Sequence, residues 1–509
     1  MHLASTFQRL SSWYGDRIAI VDHTGEWSYR RFIGRVARFG QAMHGLGLAR
    51  GDRVALLLPD IREYLEADYG TMAAGLVRVP MDPRAPRADI ISLLRHAGVR
   101  ALIVHSDLAA TVERLQDEIE TLGHIVAVGG IISGALDYET LLARAAERLV
   151  EAGDGDDLAT LNFSGGTTGS PKAIMLKHRN LFAVVQNAMA AFDAKPHTVF
   201  LNVRPLWPIA QVIMFTYVMA GARIVLGGRF DAEGFSALVA RTGATHTSLV
   251  PTQLVRCLDH LHSRDPKLAA LEKVHVGGSR IAPPVFEHAL ELIGPRIGVL
   301  YGLTEAPISC YLSAERLAGD AALRPGLAQS VGRPLLGYEV RLDGADPEVP
   351  DASGEVLVRG GNVMAGYWQN PEATAAALQD GWLHTGDIGQ FDTHGDLSIV
   401  GRIKDVIRSG STSVVPKEVE DAVARHPAVQ EVAVIGVPDI EWGEAVTAFV
   451  VLKPGSAASE AEIIEHCRNH LAAHKKPKSV QFRAVLPRSH YGKVPRNELL
   501  ASLAPMNTE

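Results

Sequence analysis

Up to about residue 330 the chain alternates short apolar runs with segments whose apolar residues recur at helical spacing. Arg53–Leu58 and Ala101–Val104 read as buried strands, with a helix over Ile61–Ala74 and a further extended run at Val77–Pro80 between them. Arg223–Leu226 and Gly298–Tyr301 have the same texture, as does Leu158–Phe163 after the polar break Glu151–Asp157. Apolar runs without polar alternation need cover on both faces, and strand–helix alternation supplies it. The pattern predicts parallel-type sheets covered by helices.

From about Val331 to Val400 glycines and turns become dense, and extended runs such as Glu355–Arg359 predict a β-rich segment. A smaller unit follows Gly401. A helix is expected over Pro416–Arg425, with proline in its first turn and Glu418 and Glu420 near its positive end. Strands are expected at Val432–Ile435 and Thr447–Val451, then a helix over Glu460–Ala473 and a strand near Val480–Val485. A chain of 509 residues exceeds what one core can organise. The expected fold class is therefore α/β: a large N-terminal domain over 1–403, containing a β-rich subregion at 331–400, and a small α+β C-terminal domain over 404–509.

A net charge of -7 argues against a nucleic-acid partner, although Lys475, Lys476 and Lys478 form a local basic cluster. The three cysteines, Cys257, Cys310 and Cys467, are scattered and lack metal-ligand spacing, which argues against a disulfide framework. The N-terminal stretch lacks a secretory signal pattern, and no apolar run approaches the ~20 residues of a membrane span. The expectation is a cytoplasmic protein without a membrane span, its oligomeric state left open, a homodimer included.

The strongest local motif follows the Leu158–Phe163 run: Ser164, Gly165, Gly166, Thr167, Thr168, Gly169, Ser170, Pro171 and Lys172. Glycines let several backbone N–H groups converge on one anion, hydroxyls add donors, and Lys172 brings a mobile positive charge. This is not the NTPase P-loop, because Gly169 is followed by Ser-Pro-Lys rather than Lys-Ser/Thr. Gly45-Leu46-Gly47 is the nearest approach to a dinucleotide fingerprint, but its third glycine, Gly51, is misplaced and no strand precedes it, so it reads as a turn. There is no Gly-x-Ser-x-Gly elbow of a serine hydrolase.

With this loop, five further segments in order make the chain resemble the adenylate-forming superfamily of acyl-CoA synthetases, standalone adenylation domains and beetle luciferases. They are VGGSRIAPP (Val276–Pro284), YGLTE (Tyr301–Glu305), GWLHTGD (Gly381–Asp387), GRIKDVIRSG (Gly401–Gly410) and YGKVPR (Tyr491–Arg496). The resemblance implies that the loop Ser164–Lys172 holds the phosphates of ATP, with Thr167 and Glu305 toward Mg²⁺. It implies that Gly278, Ser279 and Arg280 lie along adenine, that Tyr301 and Gly302 flank it, and that Thr304 bonds the α-phosphate. Asp387 and Arg402 would take the ribose, Lys404 would be the hinge, and Lys493 would bridge the reacting carboxylate and α-phosphate during adenylation. Each role suits its residue: an aromatic face stacks on a purine, a carboxylate accepts two hydroxyls, and a cation stabilises charge on a transferring phosphoryl group.

The implied reaction has two halves: a small-molecule carboxylic acid and Mg·ATP give acyl-AMP, then a thiol displaces AMP as the small mobile domain rotates. Coenzyme A is the preferred thiol, a carrier pantetheine the alternative. For the acyl pocket, Trp207, Val212, Thr252 and Gly277 are candidates, core packing being the default reading of the apolar ones, with Arg204 nearby.

Several positions depart from the family pattern. Pro205-Leu206-Trp207-Pro208 stands where many relatives have Pro-Leu-Phe-His, and Ser411-Thr412-Ser413 replaces a glycine-rich stretch. Gly165 and Ala173 are milder changes. These departures raise two alternatives, an enzyme that forms only the thioester from pre-made acyl-AMP and a non-catalytic nucleotide-binding protein. A luciferase-like oxygenase stands between them.

Overall fold

The computed structural model describes residues 3–149, 154–163, 172–208, 211–262, 265–320, 325–345, 349, 352–487 and 494–503. Ser164, Gly165, Gly166, Thr167, Thr168, Gly169 and Lys493 lie outside the described residues.

Among the described residues the strands form four sheets. One runs Arg333–Pro334, Cys310–Leu312, Ile297–Tyr301, Lys273–Gly277, His246–Leu249, Val199–Asn202, Arg223–Leu226, Ile18–Asp22 and Gly25–Ser28. From Ile297–Tyr301 to Ile18–Asp22 every pairing is parallel, and antiparallel strands close both edges. The second sheet centres on Leu158–Phe163, Val77–Pro80, Arg53–Leu57, Val99–His105 and His124–Val128, again parallel.

The apolar runs explain how these sheets pack. In Arg53–Leu57, Val54 and Leu56 enter the main core, while Ala55 and Leu57 enter a second one on the opposite face. The main core joins Val54, Leu56 and Ile103 of one sheet to Phe200 and Ile224 of the other, with helices Tyr29–Gly45, Arg62–Ala73, His178–Ala191 and Gln211–Met219 contributing buried faces. Both sheets therefore need uninterrupted apolar strands, as parallel sheets do.

The β-rich segment is an antiparallel sheet of Glu339–Asp343, Ser353–Arg359, Trp382–Phe391 and Leu378–Gln379, with Leu397–Arg402 added on Trp382–Phe391. It ends at Arg402, and the last sheet starts at Ile407–Ser409 after the single turn Ile403–Asp405. That sheet pairs Val429–Asp439 with Gly443–Leu452, whose two faces feed separate cores. Helix Pro416–Ala424 starts on its proline, and Glu460–Arg468 on a capping box between Ser459 and Glu462.

Two expected elements are shorter than the sequence suggests. The helix beginning at Glu460 stops at Arg468, because Asn469 and His470 favour turns and their N–H groups bond to His466 and Cys467 three residues back. The strand near Val480 spans Ser479–Phe482, leaving Val485 exposed. Gly47 forms the expected turn with a φ of 86°. All three cysteines are buried and unpaired, and among the described residues no helix is long and apolar enough to cross a membrane.

Candidate active site

The phosphate-loop sequence turns out to link two antiparallel strands, Leu158–Phe163 and Ala173–Lys177. The second of these also pairs with the short strand Gly366–Tyr367, with Tyr367 opposite Ile174, and the Trp368 N–H donates to the Ala173 carbonyl. This places the Tyr367 ring 4.8 Å from Lys172 Nζ, in cation–π range. The Tyr367 hydroxyl donates to Glu305 Oε1 at 3.1 Å. Burial and the neighbouring Glu305 push the Tyr367 phenol above its ordinary range, so it stays protonated and able to donate. Tyr367 thus joins the lysine of the loop to the carboxylate expected at the metal.

Glu305 and Thr304 lie on a tight turn after Ile297–Tyr301, closed by reciprocal hydrogen bonds between Leu303 and Ala306. A Cβ on Gly302 would meet the Ile308 backbone nitrogen at 2.4 Å, so only glycine fits the start of this turn. Mg²⁺ commonly takes one or two carboxylates and completes its sphere with phosphates and water, and Glu305, which accepts from Tyr367 through Oε1, fits that requirement.

Asp387 is the best-defined acid of the site. It is buried, and its register partner across the antiparallel pair is Arg402, whose Nε lies 2.8 Å from Oδ1. The Tyr301 hydroxyl donates to Oδ2 at 2.9 Å. Burial first, and Asp387 second, hold the Tyr301 phenol well above its ordinary range. The motif before Asp387 is anchored by Thr385 on the Val356 carbonyl and by Glu355, which accepts from the Gly386 N–H and contacts His384.

Parallel strands deliver the remaining residues to one edge. Val199–Asn202, His246–Leu249, Lys273–Gly277 and Ile297–Tyr301 are successive neighbours, so Arg204, Thr252, Gly277–Arg280 and Gly302–Glu305 all follow the same carboxyl ends. Ligands of open parallel sheets bind there. Gly278 adopts a φ of 96°, and a Cβ on Gly277 would strike Leu300. Of the acyl-pocket candidates, Trp207 carries the Arg84 guanidinium 5.2 Å from its ring, whereas Val212 is buried in the main core.

The small unit contributes contacts that sequence reasoning missed. Arg280 makes a two-pronged ion pair with Asp421 on helix Pro416–Ala424, so its side chain is held by the small unit, which leaves its backbone for the nucleotide. Lys417 on the same helix donates to the Ile399 carbonyl at 2.6 Å. Lys404 is exposed on the connecting turn. Two lysines of the basic cluster are engaged, Lys475 with Glu418 and Lys478 over the Trp442 ring, which weakens that cluster as an anion site. The Ser411–Ser413 departure falls on a hairpin, Ser411 in the turn after Ile407–Ser409 and Thr412 and Ser413 in the returning strand Thr412–Val414.

Two family models match the chain, the AMP-binding enzyme model over residues 7–368 and the AMP-binding enzyme C-terminal domain model over 418–493. The chain belongs to the AMP-binding enzyme family. Within this adenylate-forming superfamily it stands close to acyl-CoA synthetases. It is 32% identical to a long-chain-fatty-acid–CoA ligase of Salmonella typhimurium over 98% of this chain and 94% of the relative. A feruloyl-CoA synthase of an Amycolatopsis species is 33% identical over 93% of each chain. The ATP-bound structure of MatB from Rhodopseudomonas palustris superposes with a TM-score of 0.89 at 28% identity, covering 99% of both chains.

Proposed function

We propose that this AMP-forming acid–thiol ligase activates a carboxylic acid with ATP and transfers the acyl group to coenzyme A. The observation that carries the reading is the joining of separate motifs: Lys172, Tyr367 and Glu305 form one chain of contacts, and Tyr301, Asp387 and Arg402 another. Relatives named as CoA ligases support coenzyme A as the acceptor.

In this reading Asp387 takes the ribose hydroxyls. Tyr301 donates to one of its oxygens and Arg402 lies against the other, and a carboxylate oxygen can accept more than one hydrogen bond. Tyr301 and Arg402 fix the carboxylate plane, while Thr304 donates to the α-phosphate. Lys172 attracts the terminal phosphates from one side, and Tyr367 keeps Glu305 oriented on the other. A Mg²⁺ held by Glu305 and Thr167 would supply charge neutralisation between the phosphates. Lys493 completes the site from the small domain (residues 404–509) and steadies charge as the acid carboxylate attacks the α-phosphate. Lys404 is the hinge at which that domain then turns, exposing the acyl-AMP to the thiol.

The test is a full-turnover assay with ATP, Mg²⁺, coenzyme A and a panel of carboxylic acids, following AMP, pyrophosphate and thioester together. Equal yields of all three are expected. Thioester formation from synthetic acyl-AMP without any from ATP would instead favour the enzyme restricted to the second half.

A further inference from the structure

Arg204 pairs with no carboxylate among the described residues. It follows strand Val199–Asn202 at the edge where Gly277–Arg280 and Gly302–Glu305 also emerge. Its Nη1 donates to Ser248 Oγ at 3.0 Å, and its Nη2 faces Gly278, 3.9 Å from where a Cβ would stand. Among the described residues no acid pairs with it, and burial alone pushes its guanidinium down to about 10. Residues 164–171, 209–210 and 488–493, which lie outside the described residues and belong to or flank motifs of the site, contain no Asp or Glu.

The segment bearing this cation is built rather than loose. Asn202 bonds both the Arg204 N–H and its carbonyl, Asp60 accepts from the Leu206 N–H at 2.7 Å, and Arg78 donates to the Pro208 carbonyl at 2.9 Å. Arg78 is itself fully buried against Asp68. A guanidinium carries five donors in a planar fork, and a protein-lined site with so few of them used favours a bidentate anion. Arg204 is half-buried, and partly withdrawing a charge from water without a partner is costly, so a ligand that completes it is favoured there.

We propose that Arg204 binds a second anionic group of the acid substrate, so that the enzyme's preferred acids are dicarboxylates rather than the simple monocarboxylic acids of matching length. The nucleotide residues leave Arg204 free for this role: Asp387 is paired with Arg402 and Tyr301, and Glu305 with Tyr367. Gly278 carries no side chain that would cover the fork, and its own backbone conformation favours keeping it so. The inference rests on the proposed acid-activating function and narrows its substrate.

The experiment is acid-dependent exchange of labelled pyrophosphate into ATP, run on a homologous series of straight-chain dicarboxylates and the monocarboxylates of equal length. The wild-type enzyme should show at least a ~10-fold lower KM for its best dicarboxylate than for the matched monocarboxylate. Arg204→Leu should raise the dicarboxylate KM by roughly 10- to 100-fold with little change in kcat, and Arg204→Lys should recover part of the loss. Because no ion pair is broken, the melting temperature of Arg204→Leu should be no lower than that of the wild type. Exchange that prefers monocarboxylates, or an Arg204→Leu enzyme with an unchanged preference, overturns the inference. So does a marked fall in melting temperature, which would make Arg204 a structural residue. Absence of exchange with every acid instead sinks the acid-activating function itself.

Discussion

Both oxygens of Asp387 are held by neighbours from different elements, Tyr301 from the end of a parallel strand and Arg402 from the adjacent antiparallel strand. A hydrogen bond to a charged group contributes about 1.5–3 kcal/mol. Tyr301→Phe should therefore raise the KM for ATP roughly 10-fold while leaving the fold intact. An unchanged KM would remove Asp387 from the ribose role, since its orientation would then be of no consequence. A second test concerns stability. Asp68 and Arg78 are fully buried, with Arg78 Nε 2.8 Å from Asp68 Oδ1, and burial pushes the Asp68 carboxyl up to about 7 despite the arginine. Removing one partner leaves an uncompensated buried charge, so Asp68→Ala should destabilise the large unit by about 3–5 kcal/mol, measured by chemical denaturation. A cost below about 1 kcal/mol would show that Arg78 is served by Thr160, Asn162 and the Pro208 carbonyl without it.

At the level of elements, the sequence was informative wherever function or packing is local. Apolar runs marked Arg53–Leu57 and Arg223–Leu226 because both faces of those strands are buried. Motif strings marked the turns at Gly302–Glu305 and Gly386–Asp387 because tight backbone geometry demands particular residues there. Tyr367 was missed because its importance arises from pairing Gly366–Tyr367 with a strand nearly two hundred positions earlier. The Arg280–Asp421 pair was missed for the same reason, while Val212 lies in the main core, the default place for an apolar residue of its type. Tyr367→Phe tests the linking element: losing its donor to Glu305 should lower kcat about 10-fold, with a shifted dependence on Mg²⁺ concentration as the distinguishing measurement. An unchanged Mg²⁺ profile would separate Glu305 from the metal.

For the whole molecule, the contact of helix Pro416–Ala424 with the large unit has a built-in pH response. Burial, then the nearby Arg280, pushes the Lys417 ammonium down to about 8, with Asp421, Glu420 and Glu418 opposing the shift. A lysine in water titrates near 10.4. The docked arrangement therefore binds fewer protons than an undocked one between those values, and docking strengthens as pH rises from about 8 toward 10.4. Below pH 8 the penalty is fully present. Fluorescence transfer between labels on the two units should report this rise, and Lys417→Met should flatten it. A wild-type signal that falls over the same range would contradict the burial of this lysine at the contact.

The central claim is that the separated motifs act as one adenylating site, and carboxylate-dependent exchange of labelled pyrophosphate into ATP tests it most directly. Wild-type enzyme should catalyse the exchange with at least one acid, and Lys493→Ala should lose at least ~100-fold of it while still binding AMP. Exchange that survives Lys493→Ala undiminished, or is absent from the wild type with every acid tried while acyl-AMP is still converted to thioester, would contradict the account.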